Sequence, residues 1–99
     1  MARTPEGKVK DQVRTLLRHY NVWYFMPVSS GMGRHGIPDF VCIVAGRFVG
    51  IECKADPTKL PTPLQLKCMG EIQAAGGLWF LVDDEQSLRT VEVALKMLV

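Results

Sequence analysis

The sequence predicts an α/β fold, a mixed β-sheet flanked by helices. Three observations lead there. Apolar residues recur at helical spacing in segments near both ends and in the middle of the chain. Short runs rich in β-branched and aromatic residues lie between them. Their order is helix, strand, strand, strand, helix, strand, helix, a pattern that layers helices on a sheet.

Thr4-Pro5-Glu6 reads as a helix start, with a hydroxyl cap, a proline at the first position and an acid in the first turn. Val9, Val13, Leu16, Leu17 and Tyr20 form the apolar stripe, with Lys8, Asp11 and Arg18 opposite and Asn21 as the stop. Val22 to Val28 reads as a strand, with Pro27 marking an edge or an end. Ser29 to Pro38 is a glycine-rich loop. Phe40–Val44 and Phe48–Lys54 read as two strands joined by a tight turn at Ala45-Gly46. A proline-rich loop follows, and Thr62-Pro63 starts a helix that Gly76-Gly77 stops after Ala75. Leu78–Val82 is apolar throughout and reads as a central strand, so that Phe48 to Val82 forms a right-handed crossover. Asp83 or Asp84 caps a last helix with Leu88, Val91, Leu95 and Leu98 on one face.

The 99 residues suit a single domain, 1–99, and 47% hydrophobic content supplies a core without staples. No apolar run reaches the ~18 residues of a membrane span. The start, Met1 to Lys8, leads into a helical pattern and not a signal sequence, so a cytosolic protein is expected. Cys42, Cys53 and Cys68 match no zinc spacing, and an odd count argues against a disulfide framework, so buried thiols are expected. The net charge of +2 neither requires nor excludes nucleic acid.

The chemistry concentrates around the hairpin. Side chains alternate along a strand, so Val49, Ile51 and Cys53 face the core while Glu52 and Lys54 project together on the other side. Ala45 lies six residues after Asp39 and Gly46 six before Glu52, which sets Asp39 beside Glu52 at the open end of the hairpin. Two carboxylates and an ammonium there suit phosphodiester hydrolysis, which needs a hard divalent cation held by oxygen donors. Asp39, Glu52 and the Cys53 carbonyl are candidate metal ligands; Lys54 is placed to hold a water or to stabilise developing charge. An acid and a lysine two apart on a strand are more often a solvated face. Here the strand is otherwise apolar and a Pro-Asp step opens its partner.

These residues resemble the PD-(D/E)XK nucleases, and within them the VRR-NUC branch found in phage and bacterial proteins and in larger repair nucleases. The matching set is Gly36-Ile37-Pro38-Asp39, Glu52-Cys53-Lys54 and Thr62-Pro63-Leu64-Gln65, with an early glutamate at Glu6. The resemblance implies a restriction-endonuclease-like core, Mg²⁺ or Mn²⁺ dependence and DNA as substrate. It also implies a metal-site role for Glu6, which from position alone is a first-turn acid favoured by the helix dipole, and an active-site role for Gln65, orienting Lys54 or a phosphate. The loop before Asp39 offers Ser30, Arg34 and His35 to a phosphate. Lys59 and Lys67 are further candidate DNA contacts. Stand-alone members of the branch look like dimeric junction resolvases.

The expected activity is therefore metal-dependent, structure-selective DNA cleavage by a homodimer acting on four-way junctions, with Trp23, Phe25, Met97 and Leu98 as apolar surface for a partner. The alternatives are a flap or nicking nuclease and a catalytically inactive DNA-binding accessory module. A sequence-specific enzyme fits less well, because so short a chain leaves little for reading bases.

Overall fold

The computed structural model describes residues 3–28 and 33–99 of the chain. The elements are helix α1 (Pro5–His19), strands β1 (Trp23–Phe25), β2 (Phe40–Val44) and β3 (Arg47–Cys53), helix α2 (Pro63–Ala74), strand β4 (Leu78–Val82) and helix α3 (Glu85–Leu98). The sheet is four-stranded in the order β1-β2-β3-β4, antiparallel except for the parallel β3–β4 pair. The fold is thus α/β with a mixed sheet, and among the described residues no helix is long and apolar enough to cross a membrane.

Each helix is bounded by local chemistry visible in the sequence. Thr4 accepts the Gly7 N–H at 2.9 Å and opens α1. Thr62 and Gln65 form a reciprocal capping box on α2, and Asp84 and Ser87 form one on α3. At the other end of α1, Asn21 takes a φ of 54° and the Val22 N–H reaches back to the Leu17 carbonyl at 2.9 Å, a Schellman stop. Gly76, at φ 92°, repeats the motif after α2.

The hairpin turn places Ala45 at φ 50° and Gly46 at φ 81°, the left-handed pair that matches strand twist in a two-residue connection. That fixes the register Val44↔Arg47 through Phe40↔Ile51. One sheet face buries Phe40, Cys42, Val44, Val49, Ile51, Cys53 and Val82 against Val13 and Leu17 of α1 and Leu88, Val91 and Leu95 of α3. Cys42, Cys53 and Cys68 are all buried thiols without disulfides.

Three expectations change. The strand expected over Val22–Val28 pairs only at Trp23–Phe25; its aromatics divide, with Tyr24 in the core and Trp23 and Phe25 exposed. The strand expected to end at Lys54 ends at Cys53. β4 is an edge strand and not a central one. Its continuous apolar run reflects cover on both faces, by α3 on one and α2 on the other, which produces the pattern of a central strand without a second neighbour.

Candidate active site

Where the β2–β3 ladder ends, one further register step sets Asp39 opposite Glu52. There the Asp39 side chain replaces a ladder partner: its Oδ2 accepts the Cys53 N–H at 2.8 Å. The Cys53 carbonyl projects to the same side of the strand, as paired strand geometry requires, while the Cys53 thiol lies in the core. Pro38 is fully buried, which anchors the residue before Asp39.

Glu52 is 3% exposed, the one buried charged residue among those described, and its Oε2 has no hydrogen-bond partner. Burial pushes its carboxyl up to about 9; the hydrogen bond its protonated form donates to Asp39 and the Asp39 charge add to this, and the Lys54 charge opposes it. An orphaned, buried carboxylate oxygen beside a second carboxylate is costly unless a cation or a proton meets it. The donor set of Asp39, Glu52 and the Cys53 carbonyl has the chemistry of a hard-cation site. The carboxylates come as a pair and not a larger group: among the described residues no three His, Cys, Asp or Glu side chains gather as a metal cluster.

Glu6 stands one step away. Its side chain turns along α1 to Lys10, whose Nζ lies 3.5 Å from Glu6 Oε2 and 3.6 Å from Asp39 Oδ1. Burial pulls the Lys10 pKa down, but the charges of Asp39 and Glu6 outweigh it and leave the ammonium above its ordinary value. Lys54, half-buried just past β3, makes no ion pair with Asp39 or Glu52 within 4.0 Å; Lys10 holds that place.

The remaining expected residues divide. Gln65 turns its Oε1 to the Thr62 N–H at 2.8 Å, so its carbonyl serves the helix start. Ser30 lies outside the described residues. Arg34, His35 and Lys67 come together around a groove of about 190 Å³ between the loop and α2, and Arg34 pairs there with Glu71. A second groove of about 280 Å³ runs past Arg34 and His35 to Asp39, joining the basic loop to that carboxylate. Lys59 lines neither groove and sits in a turn closed by Asp56.

Two residues that shape the site carry little mark in the sequence. Lys10 is signalled only by its i,i+4 spacing from Glu6. Gly50 is a close-approach position, since a Cβ there would lie 2.8 Å from Pro38 Cγ. Gly36 is another: at φ 79°, an added Cβ would collide with the Leu64 carbonyl and sit 2.9 Å from the Gln65 nitrogen. That contact docks the loop on α2. No protein-family model matches the chain, and no curated protein matches it.

Proposed function

We propose that the chain is a metal-dependent DNA endonuclease with a restriction-endonuclease-like core, of the PD-(D/E)XK kind and resembling its VRR-NUC branch. The observation that carries the reading is the Asp39–Glu52 pair, in which the buried Glu52, its Oε2 unpartnered, stands beside a hydrogen-bonded carboxylate at the end of the hairpin. Asp39, Glu52 and the Cys53 carbonyl would hold Mg²⁺ or Mn²⁺. An ion held there would supply charge to neutralise a phosphate and to lower the pKa of water. Asp39 is held rigid by the Cys53 N–H, so the donors need little rearrangement. Lys54 orients the attacking water or stabilises charge on the phosphate oxygens. The groove past Arg34 and His35 guides the phosphate backbone toward Asp39.

The working unit in this reading is a two-fold homodimer that makes paired cuts in a four-way junction, because one site cuts one strand and two-fold symmetry supplies the second. Trp23, Phe25, Ile43 and Phe48 leave an apolar, exposed stretch on the sheet face away from α1 and α3 for such a partner. Met97 is exposed as well, whereas Leu98 packs onto the core.

The Lys10 ammonium, already 3.6 Å from Asp39 Oδ1, favours a second reading, a DNA-binding module without cleavage. The test is cleavage by purified protein, with Mg²⁺, Mn²⁺ or EDTA, of labelled duplex, flap, single-stranded and four-way-junction DNA. Metal-dependent paired cuts in the junction support the proposal. Cutting of a single flap strand moves the assignment to a flap or nicking nuclease. Junction binding without cleavage in either metal supports the accessory module.

A further inference from the structure

We propose that the Lys10 ammonium is a built-in cation that fills the place a second divalent ion would take between Glu6 and Asp39, so that the site accepts one divalent ion per chain. The inference rests on the metal-site reading above and adds the ion count.

Asp39 faces two ways. Its Oδ2 is turned to β3, where it accepts the Cys53 N–H, and its Oδ1 is turned to α1, where Lys10 approaches to 3.6 Å. The same ammonium lies 3.5 Å from Glu6 Oε2. Two carboxylates from different elements thus share one cation, and they do so on the side of Asp39 away from its bond to β3. Glu52, with its unpartnered Oε2, stands on β3, and Lys10 makes no ion pair with it within 4.0 Å. The two sides of Asp39 therefore differ: one already holds a positive charge, and the other offers a buried oxygen that has none.

The shared ammonium is sheltered. The Lys10 side chain is 30% exposed and that of Asp39 is 22% exposed, so the pairing is screened less than an open surface bridge. A divalent ion entering between Glu6 and Asp39 would have to displace Lys10 or sit against it, and like charges at such range repel strongly in a partly desolvated site. The charge balance points the same way. Three carboxylates, the Lys10 and Lys54 ammoniums and one divalent ion leave a single positive charge, which one bridging phosphodiester neutralises. A second divalent ion would leave the site with excess positive charge while Lys10 remained.

The experiment is calorimetric titration of the full chain with Mn²⁺ in the absence of DNA, comparing wild type, Lys10→Met and Lys10→Arg, with circular dichroism to confirm folding. The wild type takes up one ion per chain, as does Lys10→Arg. Lys10→Met, which keeps the side-chain length and loses the charge, takes up two. Two ions per chain in the wild type would overturn this inference and leave the metal site standing. One ion in Lys10→Met, at whatever affinity, would also overturn it. No Mn²⁺ uptake by the wild type would overturn both this inference and the proposed function.

Discussion

Gly50 on β3 leaves the space in which Pro38 lies: a Cβ on Gly50 would stand 2.8 Å from Pro38 Cγ and 3.4 Å from Pro38 Cβ. Pro38 is fully buried and precedes Asp39, so the absence of one methyl group on β3 sets where a carboxylate sits on the neighbouring strand. Gly50→Ala is expected to cost about 1–3 kcal/mol, as overpacking does in a filled interior. The same change pushes Asp39 away from Cys53 and weakens Mn²⁺ binding. Denaturant melts read the first effect and calorimetry the second. A variant with wild-type stability and wild-type affinity would show that Pro38 has room to move.

Asp39→Asn and Glu52→Gln separate charge from shape. Asparagine keeps a carbonyl oxygen to accept the Cys53 N–H, so the hairpin end survives while the charge goes. Glutamine fills the buried Glu52 position at nearly the same volume. Both variants are expected to fold and to lose metal-dependent cleavage. Junction cleavage by either one at the wild-type rate would remove that residue from the active site.

Lys54→Ala is expected to lower the cleavage rate by about 10²–10³-fold and to leave Mn²⁺ affinity near the wild-type value. The basis is its position: it is half-buried past the end of β3 and not ion-paired to Asp39 or Glu52, which in the proposed nuclease leaves its ammonium for water and phosphate. Loss of affinity as large as that from Asp39→Asn would place Lys54 among the groups that organise the ion.

The hairpin was legible because its determinants are local. Ala45-Gly46 specifies the turn, the two-residue period specifies the faces, and together they set Asp39 opposite Glu52. Helix limits were legible for the same reason, since Thr4, Thr62, Asp84, Asn21 and Gly76 act on their own neighbours. What depended on distant chain was not legible. β4 reads as central because α2 and α3 cover it, and strand order leaves no trace in its own residues. Lys10 reads as one of several lysines until α1 is laid across the end of the sheet. Gln65 illustrates a third case: the Thr-Pro-x-Gln step is a sufficient capping box, so its presence alone does not distinguish helix starting from catalysis.

The exposed sheet face predicts association. Trp23, Phe25 and Ile43 are each about half exposed on β1 and β2, with the Trp23 and Phe25 rings edge-on at 5.9 Å. Ile43→Lys is expected to cost about 1 kcal/mol or less in an isolated chain, because the side chain is half exposed and loses only its cross-strand contacts with Trp23 and Phe48. In a dimer built on this face it is expected to yield monomers. Light scattering at micromolar protein checks both forms. A wild type that is already monomeric would remove the paired-cut reading, while a dimer unaffected by Ile43→Lys would place the interface elsewhere.

The last prediction is a stability that falls as pH rises when no metal is bound. The Glu52 carboxyl is pushed from 4.5 up to about 9, chiefly by burial and next by its hydrogen bond and repulsion with Asp39. Below about 4.5 the group is protonated in both folded and unfolded chains and imposes no electrostatic penalty. Between there and about 9 the folded chain holds a proton that the unfolded chain has released, so stability declines across that window. Above it, folding buries a charge, and the loss is complete. Glu52→Gln removes the ionisation and is expected to flatten this part of the profile, leaving the variant more stable than wild type in mildly alkaline, metal-free buffer. If Glu52 is a metal ligand as proposed, saturating Mn²⁺ is expected to act oppositely on the wild type, because an ion held by the ionised carboxylate stabilises the folded chain most where protons compete least. Urea melts of both proteins between about pH 5 and pH 9, with EDTA and with Mn²⁺, measure these slopes. Parallel wild-type and Glu52→Gln profiles in EDTA would show that Glu52 is already ionised in the folded chain, and that a neighbouring cation, Lys10 or Lys54, compensates its charge before any metal arrives.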